Sequence, residues 1–304
     1  MLPMLRVLMI GNSFSICVGT DLPPIVNSVP DCAISLTSAY IGGCQLDRHW
    51  NNVLETQKNP DAKQYRVCQW DAAGEGVKSS EKSGSINELI EKGDWDVVTI
   101  QQASHQSWDY ATYQPFASNL VAYVRERNSK AKILIQQTWA YRSDDGRIRT
   151  PDPKWGFDQN GFHERLTESY GKLSRDLGGL DIIPTGRAVW LSRQRDPAPF
   201  TPYTPEYLAS VDWPGLPSQM HDVVGNVSRR KNAEGEFEFS FDTIHLNGRG
   251  HYLQACVWFE KLFGKPVPED AFVPGDVGAK DAAFLRACAH DACVQGYDGK
   301  AAEK

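Results

Sequence analysis

The sequence lacks the runs that would mark a membrane-spanning or a nucleic-acid-binding protein. No stretch of its 304 residues reaches about 18 consecutive apolar residues, so no transmembrane helix is predicted. Acidic residues (38) outnumber lysines and arginines (32), and the formal net charge is −6. Compact basic runs occur only at 147–149 and 229–231, whereas neutralising phosphates requires clustered basic residues. The composition therefore argues against nucleic acid as a partner.

Cysteine motifs and a leader-like N-terminus are also missing. The seven cysteines include no C-x-x-C pair, and the histidines are scattered, so neither a metal site nor a cofactor is predicted. Cys288 and Cys293 could pair across the last predicted helix, although nothing in their spacing requires a disulfide. Because no charged segment precedes a long apolar one at the N-terminus, we expect a cytoplasmic protein. The alternative is a periplasmic or secreted protein whose leader has been removed.

Short apolar runs alternate with amphipathic segments along most of the chain. Strands are predicted at 5–10, 32–40, 64–72 (an edge hairpin strand), 97–100, 131–136 and 180–184. Helices are predicted at 21–29, 46–54, 85–92, 116–127, 162–177, 186–193, 247–263 and 280–293. This alternation predicts a single α/β domain over residues 1–304, a three-layer α/β/α sandwich with a mostly parallel doubly wound sheet.

Two polar stretches interrupt the alternation. Residues 143–160 are rich in glycine and proline, and residues 196–236 are rich in proline and tyrosine. Both are predicted to be long irregular insertions near the carboxyl edge of the sheet. Several aromatic residues lie in these polar surroundings: Trp155, Tyr203, Tyr207 and Trp213. Such side chains can stack on sugar rings, although they serve more often as ordinary loop anchors.

A short turn near the start of the chain is the first candidate for chemistry. The apolar run Leu5–Ile10 ends in Gly11 and Asn12, both turn-forming residues, and Ser13 comes immediately after them. A serine at such a corner lies at the carboxyl edge of a sheet, where open α/β folds keep their ligand sites. Alone, the turn leaves two interpretations open, because Ser13 could be a nucleophile or could simply cap the next helix.

The second candidate is the stretch DTIH, just before the strongest predicted helix. Asp242 and His245 are three residues apart, close enough in a turn for the carboxylate to reach the imidazole. A carboxylate on one ring nitrogen leaves the other nitrogen free as a base, which a serine nucleophile needs. An isolated D-x-x-H is more often structural, but together with Ser13 it predicts a Ser-His-Asp triad.

In order and spacing, these blocks resemble those of the SGNH (GDSL-like) hydrolases. Gly11 and Ser13 match the first family block, and the glycine pair that ends in Gly43 matches the second. Asp242 and His245 match the D-x-x-H block near the end of the chain. The resemblance covers most of the chain and implies the SGNH/flavodoxin-like form of the α/β/α fold.

The chain departs from the family pattern in two places, so it resembles a divergent branch with GNS, GG, QQxS and DxxH blocks. Asn12 replaces the usual aspartate of G-D-S, at a mainly structural position. The usual G-x-N-D block is replaced by a segment that starts with Gln101 and Gln102. The resemblance implies an oxyanion hole formed by the backbone N–H groups of Ser13 and Gly43 and by the side-chain amide of Gln101, with Gln102 as the second choice.

The resemblance implies a serine esterase that removes small acyl groups, most of all acetyl, and the loop aromatics favour a carbohydrate ester. Further substrate contacts are expected from His105, Trp139 and Tyr141, and His49 could either line the cleft or lie on a helix surface. The alternative is a carbohydrate-binding protein on the same scaffold, with a site weakened by the glutamine replacement. A lipase or thioesterase would predict apolar insertions, whereas both insertions are polar.

Overall fold

The apolar runs of the first two-thirds of the chain assemble into one mixed sheet. The structure is a computed structural model that describes residues 3–218 and 221–295. The strands of this sheet are β1 (Leu5–Gly11), β2 (Ile34–Tyr40), β3 (Tyr65–Ala72), β4 (Val77–Gly84), β5 (Val97–Ile100), β6 (Lys132–Gln136) and β7 (Ile182–Ile183). Their order is β4-β3-β2-β1-β5-β6-β7.

Five strands of the sheet are parallel, and two extend it with antiparallel pairing. Strands β2, β1, β5, β6 and β7 pair in parallel, and β3 and β4 add antiparallel pairs at one edge. The predicted mostly parallel α/β sheet is therefore confirmed. Strand β4 escaped prediction because its sequence VKSSEKSG is polar and its side chains are almost all exposed. It has none of the alternation that marks a half-buried strand.

Helices cover both faces of the sheet. They are α1 (Ser13–Ile16), α2 (Val18–Ser28), α3 (Leu46–Lys58), α4 (Ile86–Lys92), α5 (Phe116–Arg127), α6 (Gln159–Asp176), α7 (Thr185–Arg195), α8 (Pro205–Ala209), α9 (Gly248–Phe263) and α10 (Ala279–Val294). Helices α2, α7, α9 and α10 pack together, and α3, α4 and α5 form a separate group. Every predicted helix is present, with bounds moved by at most a few residues, whereas α1 and α8 escaped prediction.

The second insertion contains regular structure that the sequence did not predict. Strands β8 (Val224–Lys231) and β9 (Phe237–Leu246) form an antiparallel hairpin, separate from the main sheet. The prediction of an irregular segment over 196–236 is therefore wrong. The polar sequence of β8 conceals a strand that is stabilised by its pairing with β9. By contrast, residues 137–158 contain no helix or strand, as predicted for most of the first insertion.

The order of the parallel strands fixes where a site can form. Counting only these strands, the order is 2-1-3-4-5, the arrangement of flavodoxin-like folds. The topological switch point lies between β1 and β5, and a crevice opens outside their carboxyl ends. Residues Val7–Ile10 of β1 are at most 1% exposed, because both faces of this central strand are covered. The core therefore holds the turn at the carboxyl end of β1.

Two further predictions concern cysteines and membranes. All seven cysteines lie in the described part of the chain and are free, so Cys288 and Cys293 do not pair. Within residues 3–218 and 221–295, none of the helices combines the length and the apolar character that crossing a bilayer requires.

Candidate active site

The turn after β1 presents Ser13 as the first residue of α1. Asn12 caps this short helix, since its Oδ1 accepts a hydrogen bond from the backbone N–H of Phe14 at 3.0 Å. A side chain at Gly11 would not fit, because a Cβ there would lie 2.3 Å from Ser15 Oγ. The glycine thus permits a tight strand-to-helix corner, which holds the serine at the carboxyl edge of the sheet.

Asp242 and His245 lie on β9, not in the turn that their spacing suggested. The Asp242 carboxylate folds back along its own strand. Its Oδ1 accepts hydrogen bonds from the backbone N–H groups of Ile244 (2.9 Å) and His245 (3.0 Å). Its Oδ2 lies 2.7 Å from Nδ1 of His245. Three hydrogen bonds therefore fix the carboxylate against the imidazole.

The structure brings Ser13 to the same histidine. His245 Nε2 lies 2.9 Å from Ser13 Oγ, although 232 residues separate the two in sequence. A carboxylate can only accept, so the Nδ1 that faces Asp242 carries the proton and Nε2 is left as an acceptor for the serine hydroxyl. The three side chains thus form a continuous hydrogen-bonded chain with the polarity required for general-base activation of a serine.

The electrostatics of Asp242 agree with this polarity. Burial acts to raise its pKa, but the hydrogen bonds from the His245 ring and from the backbone N–H groups of His245 and Ile244 outweigh burial. Together they lower the pKa of Asp242 to about 2. The carboxylate therefore remains charged throughout the range in which a histidine acts as a base.

Two stacked aromatic rings, those of Phe14 and Trp139, pack beside His245. The ring of Phe14 stacks on Trp139 with centroids 4.1 Å apart, and its centroid lies 5.7 Å from that of the His245 ring. Trp139 Nε1 donates to the Ile244 carbonyl at 2.9 Å. Because Trp139 is 0% exposed, the prediction that it contacts a sugar is wrong. Its position at the end of β6 was informative, but the side chain packs inward and positions the D-x-x-H segment.

A cavity of about 230 Å³ opens beside the serine and the histidine. Residues from several separate segments line it: Asn12, Ser13, Phe14, Gly43, Ser104, His105, Tyr141, Arg147, Ile244 and His245. Most of these segments come after the carboxyl ends of parallel strands, which is where the doubly wound topology predicts a site. Of the predicted substrate contacts, His105 and Tyr141 line the cavity, whereas Trp139 and His49 do not.

Backbone N–H groups at this cavity are available to bind an oxyanion. Within the described part of the chain, the N–H groups of Ser13 and Gly43 have no hydrogen-bond partner. Gly43 has φ of +60°, a conformation in which most side chains would be strained. The glycine therefore allows the loop after β2 to approach the serine with an unpaired donor.

Gln101 does not reach the cavity, contrary to the expectation from the family resemblance. Its side chain is 1% exposed, and its Nε2 donates to Asn12 Oδ1 at 2.7 Å. Strand β5 pairs directly with β1, so the glutamine at its end contacts the turn rather than the open space above it. In this position, Gln101 is not an oxyanion donor. It holds Asn12, whose Nδ2 in turn donates to the Cys44 carbonyl at 2.9 Å.

Gln102 and His49 also lie outside the cavity. Gln102 Oε1 accepts from the backbone N–H of Leu46 at 3.0 Å, and its Nε2 donates to Thr112. His49 is buried, with Nδ1 2.9 Å from the Tyr65 hydroxyl. Neither the cleft nor the helix-surface interpretation of His49 is correct. Gln102 thus holds the start of α3 and the segment at Thr112, and His49 links α3 to β3.

The rings of Tyr141 and His105 also line the cavity, and both make polar contacts there. The Tyr141 hydroxyl and Ser104 Oγ form a hydrogen bond of 2.9 Å. Gln45 Nε2 donates to His105 Nε2 at 2.8 Å, so this imidazole accepts through Nε2 and carries its proton on Nδ1. Burial and the nearby charge of Arg147 lower the pKa of His105. The wall is therefore neutral and polar, apart from Arg147.

Five cavity residues were not predicted as site residues: Asn12, Phe14, Ser104, Arg147 and Ile244. Asn12 and Ser104 belong to blocks that the sequence singled out, so their sequence signal was present. Arg147 lies in the irregular 143–160 loop, where no periodicity indicates which side chains point inward. Among the described residues, no cluster of three or more histidine, cysteine, aspartate or glutamate side chains could hold a metal ion.

The comparisons with known proteins agree with this fold. The family model described as "Domain of unknown function (DUF4886)" matches residues 6–198 and 222–292, which include all three residues of the hydrogen-bonded chain. A crystal structure of a DUF4886 family protein from Bacteroides uniformis ATCC 8492 is 25% identical, with a TM-score of 0.72 over 95% of each chain. No curated protein matches this sequence.

A looser likeness links the chain to a structure described as a candidate GDSL-like lipase from Parabacteroides merdae ATCC 43184. That protein is 14% identical, with a TM-score of 0.47 over 87% of this chain and 99% of the other. An overlap at this level is too loose to carry an argument about function.

Proposed function

We propose that this chain, which belongs to the DUF4886 family, is a serine esterase of the SGNH type. The observation that carries the proposal is the hydrogen-bonded chain from Asp242 through His245 to Ser13, beside an open cavity at the switch point of the sheet. The order of the GNS, GG and DxxH blocks supports the SGNH relationship, since each block contributes to the cavity.

The proposed reaction has two steps. Ser13 Oγ attacks the ester carbonyl carbon while its proton passes to His245 Nε2, and the same proton then leaves with the departing alcohol. Water, deprotonated by His245, next attacks the acyl-serine; the bond from the acyl carbon to Ser13 Oγ breaks, His245 returns the proton to Ser13 Oγ, and the carboxylic acid is released. Asp242 stabilises the imidazolium that forms in each step, without itself becoming protonated.

Negative charge develops on the carbonyl oxygen in both steps. In this proposal the N–H groups of Ser13 and Gly43 stabilise it, and each such donor typically lowers the barrier by about 2.7–4 kcal/mol. Gln101 does not contact the substrate in this proposal. It holds Asn12, which caps the helix that begins with Ser13. The role proposed for Gln101 is therefore positioning, in place of the donor role that the family resemblance implied.

The cavity favours a small acyl group. Its volume of about 230 Å³ is below the range of about 300–1,000 Å³ typical of pockets for drug-sized ligands. A long acyl chain would also need an extended apolar channel, whereas in this cavity the apolar Phe14 and Ile244 are interspersed with Asn12, Ser104, His105 and Arg147. We therefore propose acetyl or a comparably short acyl group, and not the substrate of a lipase.

The carbohydrate part of the proposal depends on aromatic residues of the second insertion and of β9, which follows it. Phe237 and Phe241 lie on β9 at alternate positions that share one face, and the strand continues directly into Asp242. Both side chains are exposed, as are Tyr207 and Trp213 of the same insertion. In this proposal, the exposed aromatic faces bind sugar rings of the substrate beyond the cavity itself.

The decisive experiment compares the unaltered protein with Ser13→Ala on p-nitrophenyl acetate and on acetylated polysaccharides. Loss of the serine in a related triad costs about 10⁶-fold in kcat, so we expect hydrolysis to fall at least about 10³-fold. Acetate release from an acetylated glycan would support the carbohydrate assignment. Unchanged turnover in Ser13→Ala would contradict the mechanism, and glycan binding without any hydrolysis would favour the carbohydrate-binding alternative.

A further inference from the structure

Arg147 lines the cavity, and the proposed ester hydrolysis makes no use of it. Among the described residues, it is the only arginine or lysine in the cavity wall, which it shares with Ser13 and His245. Its side chain is 35% exposed. A fixed cation beside a nucleophile is a specificity element when the substrate carries the opposite charge.

Arg147 is held in one orientation. Its Nε donates to Asp145 Oδ1 at 2.7 Å, and its Nη2 donates to Asp145 Oδ2 at 2.6 Å. The guanidinium carbon lies 4.3 Å from the ring centroid of Tyr141 and 5.4 Å from that of Trp155. Asp145 is itself buried and accepts a hydrogen bond from Thr243 Oγ1 at 2.6 Å. The cation is therefore preorganised without substrate.

The way Arg147 is held leaves part of its hydrogen-bonding capacity unused. A guanidinium has five N–H donors, of which Asp145 uses one on Nε and one on Nη2. Nη1 has no partner among the described residues, so the edge formed by Nη1 and Nη2 retains three donors. This edge matches the two oxygens of a carboxylate. Arg142 differs, because it is buried against Asp144 and does not line the cavity.

The surrounding charges favour a monoanion over a dianion. Asp145 offsets part of the Arg147 charge, and Asp242 is close enough to raise the pKa of Arg147 further. The neighbouring His105 is neutral, since burial and the Arg147 charge lower its pKa. The Arg147 guanidinium is thus the positive group that faces the substrate, whereas Asp145 and Asp242 make its wider surroundings negative and disfavour a second negative charge on the substrate.

We propose that Arg147 binds a carboxylate of the substrate, so that the enzyme prefers esters that carry a carboxylate near the scissile bond. This inference rests on the proposed function, because it assigns a substrate class to the same site. The carboxylate belongs either to the acyl group or to the alcohol, and both present the same chemistry to the guanidinium edge. Arg147 is a specificity-determining residue in this proposal and takes no part in proton transfer.

The test uses matched acidic and neutral esters. For the acyl side, p-nitrophenyl hydrogen glutarate is compared with p-nitrophenyl pentanoate, and for the alcohol side, 3-acetoxybenzoate is compared with phenyl acetate. For each pair, the ratio of kcat/KM on the acidic ester to kcat/KM on the neutral ester is measured. In one of the pairs, this ratio should be about 10- to 100-fold higher for the unaltered protein than for Arg147→Gln, because the variant loses a hydrogen-bonded charge pair with the substrate. The responding pair identifies which side carries the carboxylate.

A matched control is Arg149→Gln, which removes the same charge from an exposed residue of the same loop. Its ratios should equal those of the unaltered protein. Equal losses on acidic and neutral esters in Arg147→Gln would overturn the proposal and indicate a structural role instead. Unchanged ratios, or a preference of the unaltered protein for the neutral ester in both pairs, would also overturn it.

Two measurements keep the test independent of folding and of hydrolysis. If Arg147→Gln does not fold, Arg147→Lys can be used instead. It retains a cation for Asp145 but loses the two-pronged guanidinium edge, so the acidic-to-neutral ratio of kcat/KM should still fall. Calorimetric titration of Ser13→Ala with 3-acetoxybenzoate and hydrogen glutarate esters measures binding without turnover. Binding that Ser13→Ala/Arg147→Gln loses would support the carboxylate site even if no ester proved to be a substrate, whereas equal binding would overturn it.

Discussion

The two halves of the hydrogen-bonded chain lie on very different supports. Ser13 comes just after β1, a central strand whose residues Val7–Ile10 are at most 1% exposed. Asp242 and His245 lie on a two-stranded hairpin outside the main sheet, and their side chains are 37% and 36% exposed. The core therefore holds Ser13, the proposed nucleophile, whereas Asp242 and His245 need separate anchors.

Those anchors come from the segment after β6. Arg142 donates its backbone N–H to the Thr243 carbonyl at 2.9 Å, and Trp139 Nε1 donates to the Ile244 carbonyl at 2.9 Å. The Thr243 hydroxyl donates to buried Asp145. An isolated two-stranded hairpin is at best marginally stable, so these contacts position Asp242 and His245 against Ser13. The hydrogen-bonded chain thus joins Ser13, which the core supports and which we call the rigid half, to Asp242 and His245, which hydrogen bonds hold from outside the sheet and which we call the tethered half.

The largest predicted effect concerns the tethered half. Asp242→Asn should lower kcat for p-nitrophenyl acetate by about 10⁴-fold, as the same change does in a serine protease, because an amide can stabilise the wrong tautomer of His245. KM should change little. Glu238→Gln, an exposed carboxylate on the same strand, is the control and should leave kcat unchanged. A loss of less than about 10-fold in Asp242→Asn would show that the carboxylate is not needed.

A change in the turn that holds Ser13, the rigid half, should lower the stability of the fold. Gly11→Ala places a Cβ 2.3 Å from Ser15 Oγ and 3.0 Å from Gln101 Cδ, so we expect a loss of about 1–3 kcal/mol in the free energy of unfolding from overpacking. Urea denaturation measures this loss. Gly275→Ala is the matched control, since a Cβ there meets nothing within 4 Å. Equal stability of the two variants would mean that the corner is less tightly packed than its distances indicate.

Asp21, a buried carboxyl in α2, differs from Asp242 in the direction of its pKa shift. Burial, assisted by the charge of Asp276, raises the pKa of Asp21 in α2 to about 6. The folded state then binds more protons than the unfolded state between about pH 4 and pH 6, so ionisation of Asp21 destabilises the fold as pH rises through this window.

Asp21→Asn should therefore stabilise the protein by up to about 2 kcal/mol at pH 7 and by almost nothing below about pH 4. Thermal unfolding of both proteins across this pH range measures the difference. Exposed Asp61 provides the control, since Asp61→Asn should give no such pH-dependent gain. Destabilisation by Asp21→Asn at pH 7 would contradict the prediction.

Local patterns explain how much of the fold could be predicted. Strands such as Val97–Ile100 and helices such as Phe116–Arg127 were predicted with their observed bounds, because continuous apolar runs and 3.6-residue periodicity are local signals. The N-cap of α4 is a local feature too, since Ser85 Oγ accepts a hydrogen bond from the backbone N–H of Glu88 at 3.2 Å, three residues along the chain. Strands β4 and β8 were missed because both are polar and depend on a partner strand, and β9 was missed because its D-x-x-H segment was interpreted as a turn.

The same division explains the candidate site. Ser13, Asp242 and His245 were predicted because their blocks are short and ordered along the chain, and the structure brings them within hydrogen-bonding distance. Gln101 was assigned to the oxyanion hole from the third block of the family resemblance, and Trp139 was assigned to the substrate because it follows a central strand. Whether a side chain at a strand end faces the crevice or the core depends on its neighbours in other segments, which no local pattern encodes.

By itself, the sequence determined the alternation of strands and helices, the corner that exposes Ser13 and the short spacing between Asp242 and His245. These features result from apolar period, turn-forming residues and neighbouring positions, all of which act over a few residues. Only the tertiary structure decided that Gln101 holds Asn12, that Trp139 lies beneath the site and that Arg147 faces it. Those outcomes depend on packing between distant segments, where the reach of a side chain and the space left by its neighbours decide where it lies.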